Sequence, residues 1–260
     1  KTNWATMYSL TEGLQHELGI QELSHAFGPT TMSKVDARGG VGPGERNKNI
    51  VNIIKCAFYC KGYPGGNLDG IWKSSPSFGP QQDAVAGSLY AMTDNMGIGR
   101  QDRLNAKLFK ALLTMDAYVL VSGGDPEIRK IQQWLNGRYW RRSFATLIPT
   151  EVHYSRDVQK LLMKALQCEF GIADASVNGN FGPATRQQLA AHSLKPGDSG
   201  VLVELLSAAC VFNGAVPSGE GMVHTVFKHE FDDKLASYIR AFQAFSLLPV
   251  TNRVDYATWC

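Results

Sequence analysis

Residues 178–189 read NGNFGPATRQQL, and their reading decides the fold. Asn178-Gly179 supply the positive φ of a tight turn. Pro183 suits the first turn of a helix, where its missing N–H costs nothing. A helix then runs through Gln187 and Leu189. Upstream, Val158, Leu161, Leu162, Ala165 and Leu166 fall on one face at helical spacing, and Gly171 ends that helix as a left-handed cap. Further upstream, Asp125 is an N-cap with Pro126 at the first helical position, followed by Ile128, Ile131 and Leu135. The spacing predicts a three-helix module over 125–192.

Almost the same signal, AFGPTTMSKV, stands at 26–35. Slid along itself by roughly 150 residues, the chain repeats. Leu10, Leu14, Gln15, Glu17, Gly19 and Ile20 lie over Leu162, Leu166, Gln167, Glu169, Gly171 and Ile172. Phe27-Gly28-Pro29 lies over Phe181-Gly182-Pro183, and Thr31 over Thr185. Similarity at a fixed offset signals tandem duplication. The expected fold is all-α: a tandem array of small three-helix modules in two duplicated pairs. The modules fall at 1–36 (helices two and three only), 45–120, 125–192 and 197–260. The last stops at Cys260 inside an expected helix, so the reading is of a piece of a longer protein, cut at both ends.

Composition narrows the function. With 44% apolar and 19% charged residues, the chain can bury cores and is not disordered. A net charge of +3 is too small for a dedicated nucleic-acid binder. RYWRR, Arg138 to Arg142, reads as a solvated helix end. No apolar run is long enough to span a membrane. The five cysteines lack zinc spacing and read as small core residues. HTVFKHE is not HExxH. Asp232-Asp233 are adjacent at a helix start, where they serve the dipole rather than flank a glycosidic bond. GGVGPGER (39–46) lacks the Gly-Lys-Ser/Thr ending of a phosphate loop and reads as a linker. No catalytic residue, metal or cofactor is expected.

AFQAFSLLPVTNRVDYATWC (241–260) and NGNFGPATRQQL resemble the three-helix peptidoglycan-binding modules of bacterial cell-wall hydrolases. Gln132, Asp69-Gly70, Phe242-Gln243 and Gly182 to Thr185 occupy that family's Leu-Gln, Asp-Gly, Phe-Gln and Gly-x-x-Thr places. QQWLNGRY and the longer spacing resemble an arrangement found ahead of a glycoside-hydrolase-like domain in secreted proteins of Gram-positive bacteria. Two departures stand out: Glu151-Val152 replaces Asp-Gly, and GEGMVHTVFKHEFDD is a long loop instead of a tight turn.

The resemblance implies a shallow groove between the second and third helices that holds a peptidoglycan stem peptide or glycan. Its candidate ligand residues are Trp4, Asp69, Gly70, Trp72, Asn180, Phe181, Gly182 and Thr185. The N-terminus at Gly182 to Thr185 would face a carboxylate, Asn180 and Thr185 would bond amides, and Phe181 or Trp72 would cover alkyl parts. Each also has a structural reading: turn geometry for Gly70 and Gly182, a cap or local packing for Thr185, core for Phe181, Trp4 and Trp72. The resemblance further implies a non-catalytic, monomeric region that is secreted, extracellular and cell-wall associated. It would target a hydrolase domain lying beyond Cys260. A helical protein-interaction scaffold, or an enzyme with its site in these modules, are the alternatives.

Overall fold

The structure is a computed structural model and describes residues 3–73 and 83–260. Residues 74–82, within the expected second module, lie outside it. Among the described residues the regular secondary structure is helical apart from one two-stranded hairpin. The helices are α1 (Trp4–Glu17), α2 (Pro29–Ala37), α3 (Lys48–Cys60), α4 (Ala84–Met96), α5 (Ala106–Leu113) and α6 (Pro126–Tyr139). They continue with α7 (Arg156–Glu169), α8 (Pro183–Ala191), α9 (Val201–Asn213), α10 (Asp233–Phe245) and α11 (Tyr256–Trp259). The all-α expectation holds.

Local chemistry sets these boundaries. The side chains of Asn3, Asn47, Asp83, Asn105, Asp125, Ser155, Asp232 and Asp255 each accept a hydrogen bond from a first-turn N–H. Each such cap is worth about 1 kcal/mol. Helices α2 and α8 start differently, with glycine at the N-cap and proline just inside. Gly19, Gly97 and Gly171 follow α1, α4 and α7 at φ 68°, 80° and 77°, conformations that cost L-residues about 1–2 kcal/mol.

The chain forms two compact units. The first joins Lys1–Val119 with Thr146–Glu151. In it α1 packs on α3 and α5, and α3 on α4 and α5, burying Leu14, Ile54, Phe58, Leu89, Met92 and Phe109. The second unit holds Leu120–Ala145 and Val152–Cys260. There α6, α7 and α9 pack together, and α10 closes a core of Val203, Leu206, Phe231, Leu235 and Ile239. In both units two short helices meet, α2 on α5 and α8 on α11. An isolated bridge runs beside each contact, Val41 to Leu104 and Leu194 to Val254.

Four expectations need correction. GEGMVHTVFKHEFDD is not wholly loop: it contributes β2 (Gly221–Val223), antiparallel to β1 (Val216–Ser218). GGVGPGER is no linker, because Gly40, Val41 and Gly42 are buried and Val41 pairs with Leu104. Of the cysteines, all free, Cys210 is buried, Cys260 exposed and the others intermediate. In RYWRR the aromatic pair Tyr139 and Trp140 is buried, while Arg138 and Arg142 pair with Glu169 and Asp174.

Candidate functional site

The turn before α8 is held from below by one side chain. Gln167, at the end of α7, is buried. Its Nε2 donates to Asn180 O at 2.8 Å and Thr185 Oγ1 at 2.9 Å. Its Oε1 accepts from Asn178 N at 3.2 Å and Gly179 N at 2.9 Å. Gln15 does the same before α2, donating to Ala26 O and Thr31 Oγ1 and accepting from Ser24 N. Gln243 does so before α11, through Arg253 O, Thr258 Oγ1, Thr251 N and Asn252 N. A buried primary amide must satisfy both its ends, and here a single turn meets the whole requirement. In α4 the equivalent residue is Thr93, which instead bonds Leu89 O in its own helix.

A second set of anchors runs from the first helix of each group. In α3, buried Lys55 donates through Nζ to Asn67 O and the Asp69 carboxylate. In α6, Gln132 bonds His153 O at 2.9 Å and Val152 N at 3.1 Å. In α9, Ser207 bonds Lys228 O and N, both at 3.0 Å. Val152 stands at φ 85°, close to the 70° of Gly70. The departure from Asp-Gly therefore keeps the turn but places a β-branched residue in a left-handed conformation, which is rare.

These anchors sort the sequence candidates. Thr185 is interior, 1% exposed, with its hydroxyl bonded to Gln167. Trp72 is also interior, at 2%, and offers no surface wall. Asp69 is exposed, and its carboxyl is held below the usual range by the Lys55 ammonium first and the Ile71 N–H second. Gly70 is required sterically: a Cβ there would lie 2.5 Å from Lys48 Cβ. Gly182 caps α8 with extended backbone and free space around it. Asn180 is exposed, with its backbone committed to Asn178 and Gln167. Trp4 is 58% exposed and lies 5.7 Å from Tyr8, whose ring stacks on His25 at 4.2 Å. Asp69, Gly70, Trp72 and Trp4 belong to the first unit, the other four to the second.

Phe181 leads to a cavity. Half-buried under the Arg186 guanidinium, it lines a pocket of about 160 Å³ with Leu162, Met163, Leu205, Ala209 and Trp259. The walls come from α7, α8, α9 and α11, and are almost entirely apolar. Tyr154 and Gln159 supply polar atoms at the wall, and burial raises the Tyr154 phenol above its ordinary range. Trp259 Nε1 is buried with no hydrogen-bond partner among the described residues, an arrangement costing about 1–3 kcal/mol. Sequence reading missed this donor because Trp259 looked like the end of a helix. It also missed Leu205 and Ala209, since they sit on the next helix group.

Comparison with known proteins gives the chain a family. Residues 121–260 match the family described as FadG/YbfG, PGDB-like domain. Over 262 residues the chain is 39% identical to the uncharacterized protein FadG of Bacillus subtilis (strain 168), covering 100% of this chain and 42% of that protein. It is 35% identical over 260 residues to the uncharacterized protein YbfG of the same organism, covering 99% of this chain and 33% of YbfG. The chain thus spans under half the length of either relative. No solved structure matches it. With more than half of its residues inside the family match, the chain belongs to the FadG/YbfG PGDB-like domain family.

Proposed function

We propose that this chain binds peptidoglycan without catalysing its cleavage, through the pocket beside Phe181. The supporting observation is the pairing of an apolar cavity with an unsatisfied buried donor, Trp259 Nε1, inside the family-matched region. A cavity of about 160 Å³ takes one small alkyl side chain of a stem peptide. Nε1 has no solvent-accessible surface as it stands, so the indole would turn toward the cavity for the neighbouring peptide carbonyl to accept from it, offsetting the desolvation already incurred. On this reading the modules at 1–36, 45–120, 125–192 and 197–260 work as a non-catalytic array outside the cell, at the wall. They would concentrate a hydrolase domain carried elsewhere in the parent protein, with weak sites adding through effective concentration.

The test is sedimentation of the chain with insoluble peptidoglycan, with and without soluble stem peptide. Binding that the peptide reverses is expected. Ala209→Phe, which fills the pocket, should abolish it. Trp259→Phe should weaken it by about tenfold, the worth of one buried hydrogen bond. A folded chain that stays in the supernatant would sink the proposal. A protein-interaction surface is the second reading, favoured by Phe245, Leu247 and Val250, which are 63%, 93% and 56% exposed within six residues. A folded chain that does not sediment with peptidoglycan would favour a surface of that kind.

A further inference from the structure

The stretch GGVGPGER forms a structured cleft in the first unit. The Val41–Leu104 bridge fixes it at one end, with N···O distances of 2.9 and 2.7 Å. Gly44 N donates to Trp72 O at 2.9 Å and holds the other end. Between them lies a cavity of about 320 Å³, open to solvent, lined by Arg38, Arg46, Arg103, Glu45 and the loop glycines. That volume lies at the lower end of ligand sites, about 300–1,000 Å³.

Its charges are unbalanced. Three guanidinium groups face one carboxylate. Glu45 accepts from Arg38 Nη2 at 2.7 Å through one oxygen and from Asn47 N at 2.9 Å through the other. Among the described residues Arg103 reaches only main-chain oxygens, Gly39 O at 3.3 Å and Gly40 O at 3.5 Å. It lies flat on Gly42: a Cβ there would come within 2.7 Å of its Cγ and 2.9 Å of its Nη1. The glycine thus makes room for the guanidinium at the cleft floor. Arg46 is exposed at the rim.

The second unit keeps part of this basic set, with Arg253 in the place of Arg103 and Lys195 in its loop, but not Arg46. The second unit builds the same loop from LKPGDSG (194–200). There Gly197 N donates to Phe231 O at 3.0 Å and Leu194 pairs with Val254. Ser199 stands there in the place of Arg46. A loop that closes with serine at that position leaves the arginine free for another task. Like charges gathered around one cleft repel, and a bound oxyanion reverses the sign of the interaction. Guanidinium forks match carboxylate and phosphate oxygens in pairs.

We propose that the Arg38–Arg46–Arg103 cleft is a binding site for an oxyanion, a carboxylate or phosphate group on a small ligand or polymer end. It stands independently of the Phe181 pocket. The test is titration of the uniformly ¹⁵N-labelled chain, at constant ionic strength, with D-alanyl-D-alanine in one arm and glycerol phosphate in the other. Saturable shifts confined to the Gly40, Gly42 and Gly44 amides are expected in at least one arm, and the arm that saturates identifies the source of the anion. Arg46→Ser, the residue the second loop carries, should weaken that binding about tenfold, the loss of one charge-assisted contact. Ala209→Phe should leave it unchanged. Shifts that fail to saturate in both arms, or that persist undiminished in Arg46→Ser, would overturn the proposal.

Discussion

At the scale of single residues, the family-like signature is a folding device. Gln15, Gln167 and Gln243 reach back to the turn that follows their own helix, and each meets a threonine hydroxyl there. Removing the amide strands several buried groups at once. Gln243→Leu should therefore cost about 3 kcal/mol in urea unfolding, near the upper range for one substitution. Thr185→Val removes one buried partner and should cost about 1–2 kcal/mol. Neither residue faces the Phe181 pocket as a ligand group, so peptidoglycan sedimentation per folded molecule should not change in Thr185→Val. Loss of sedimentation without loss of stability would return Thr185 to the ligand face. The repetition of these residues was visible in the sequence. Their direction was not, because a glutamine aimed at a ligand and one aimed at its own turn leave the same pattern. Of the two readings of Trp72, the core one holds: its carbonyl serves Gly44 and its ring is buried.

At the scale of elements, caps and helical spacing made α6, α7 and α8 legible, because Asp125, Pro126, Gly171 and Pro183 each do one local job. The segments at 39–46 and 216–223 were not legible. Glycine-rich composition is common to flexible linkers and tightly bridged loops, and only the partner strand tells them apart. Helix ends also carry exceptions that can be measured. Leu247 follows α10 at φ 57°, where α1, α4 and α7 use glycine, and it is 93% exposed. Leu247→Gly should stabilise the chain by about 0.5–1 kcal/mol, the left-handed strain less the added unfolded-state entropy. At the end of α3, the Lys61 ammonium donates to Thr114 O at 2.6 Å and to Asp116 O, 5.3 Å from the Tyr118 ring centre. Burial lowers its pKa from 10.5 to about 8, against the opposing pull of Asp116. Below about pH 8 both folded and unfolded chains are protonated and the desolvation cost is fully present. Between 8 and 10.5 the unfolded chain holds the extra proton, so this contribution to stability rises with pH by up to about 3 kcal/mol. The rise is read from pH 8 to 10 as the difference in slope between the unsubstituted chain and Lys61→Met, because thiols such as Cys210, raised to about 12 by burial, contribute an opposing slope to both. Lys61→Met should flatten it while lowering stability overall, and an unchanged slope would show that another group titrates.

At the scale of the molecule, the family match and the compact units divide the chain differently. The match begins at residue 121, yet Thr146–Glu151 belongs to the first unit. Thr150 N donates to Ala117 O at 3.1 Å, and its hydroxyl bonds Asn95 O at 2.9 Å and Tyr118 O at 3.2 Å. Thr150 and Ile148 have no exposed surface. Similarity in sequence follows chain order, whereas packing takes this segment out of order, so no linear reading of modules could place it. The consequence is testable with fragments. A piece ending at 119 keeps every helix of the first unit but loses these bonds, and should unfold at a lower temperature than that unit does in the full chain. Thr150→Val should reproduce part of the loss, about 1–2 kcal/mol, by leaving those carbonyls without the hydroxyl. If fragment and full chain melt alike, residues 146–151 merely lie on the first unit, and the boundary drawn by sequence is also the boundary in stability.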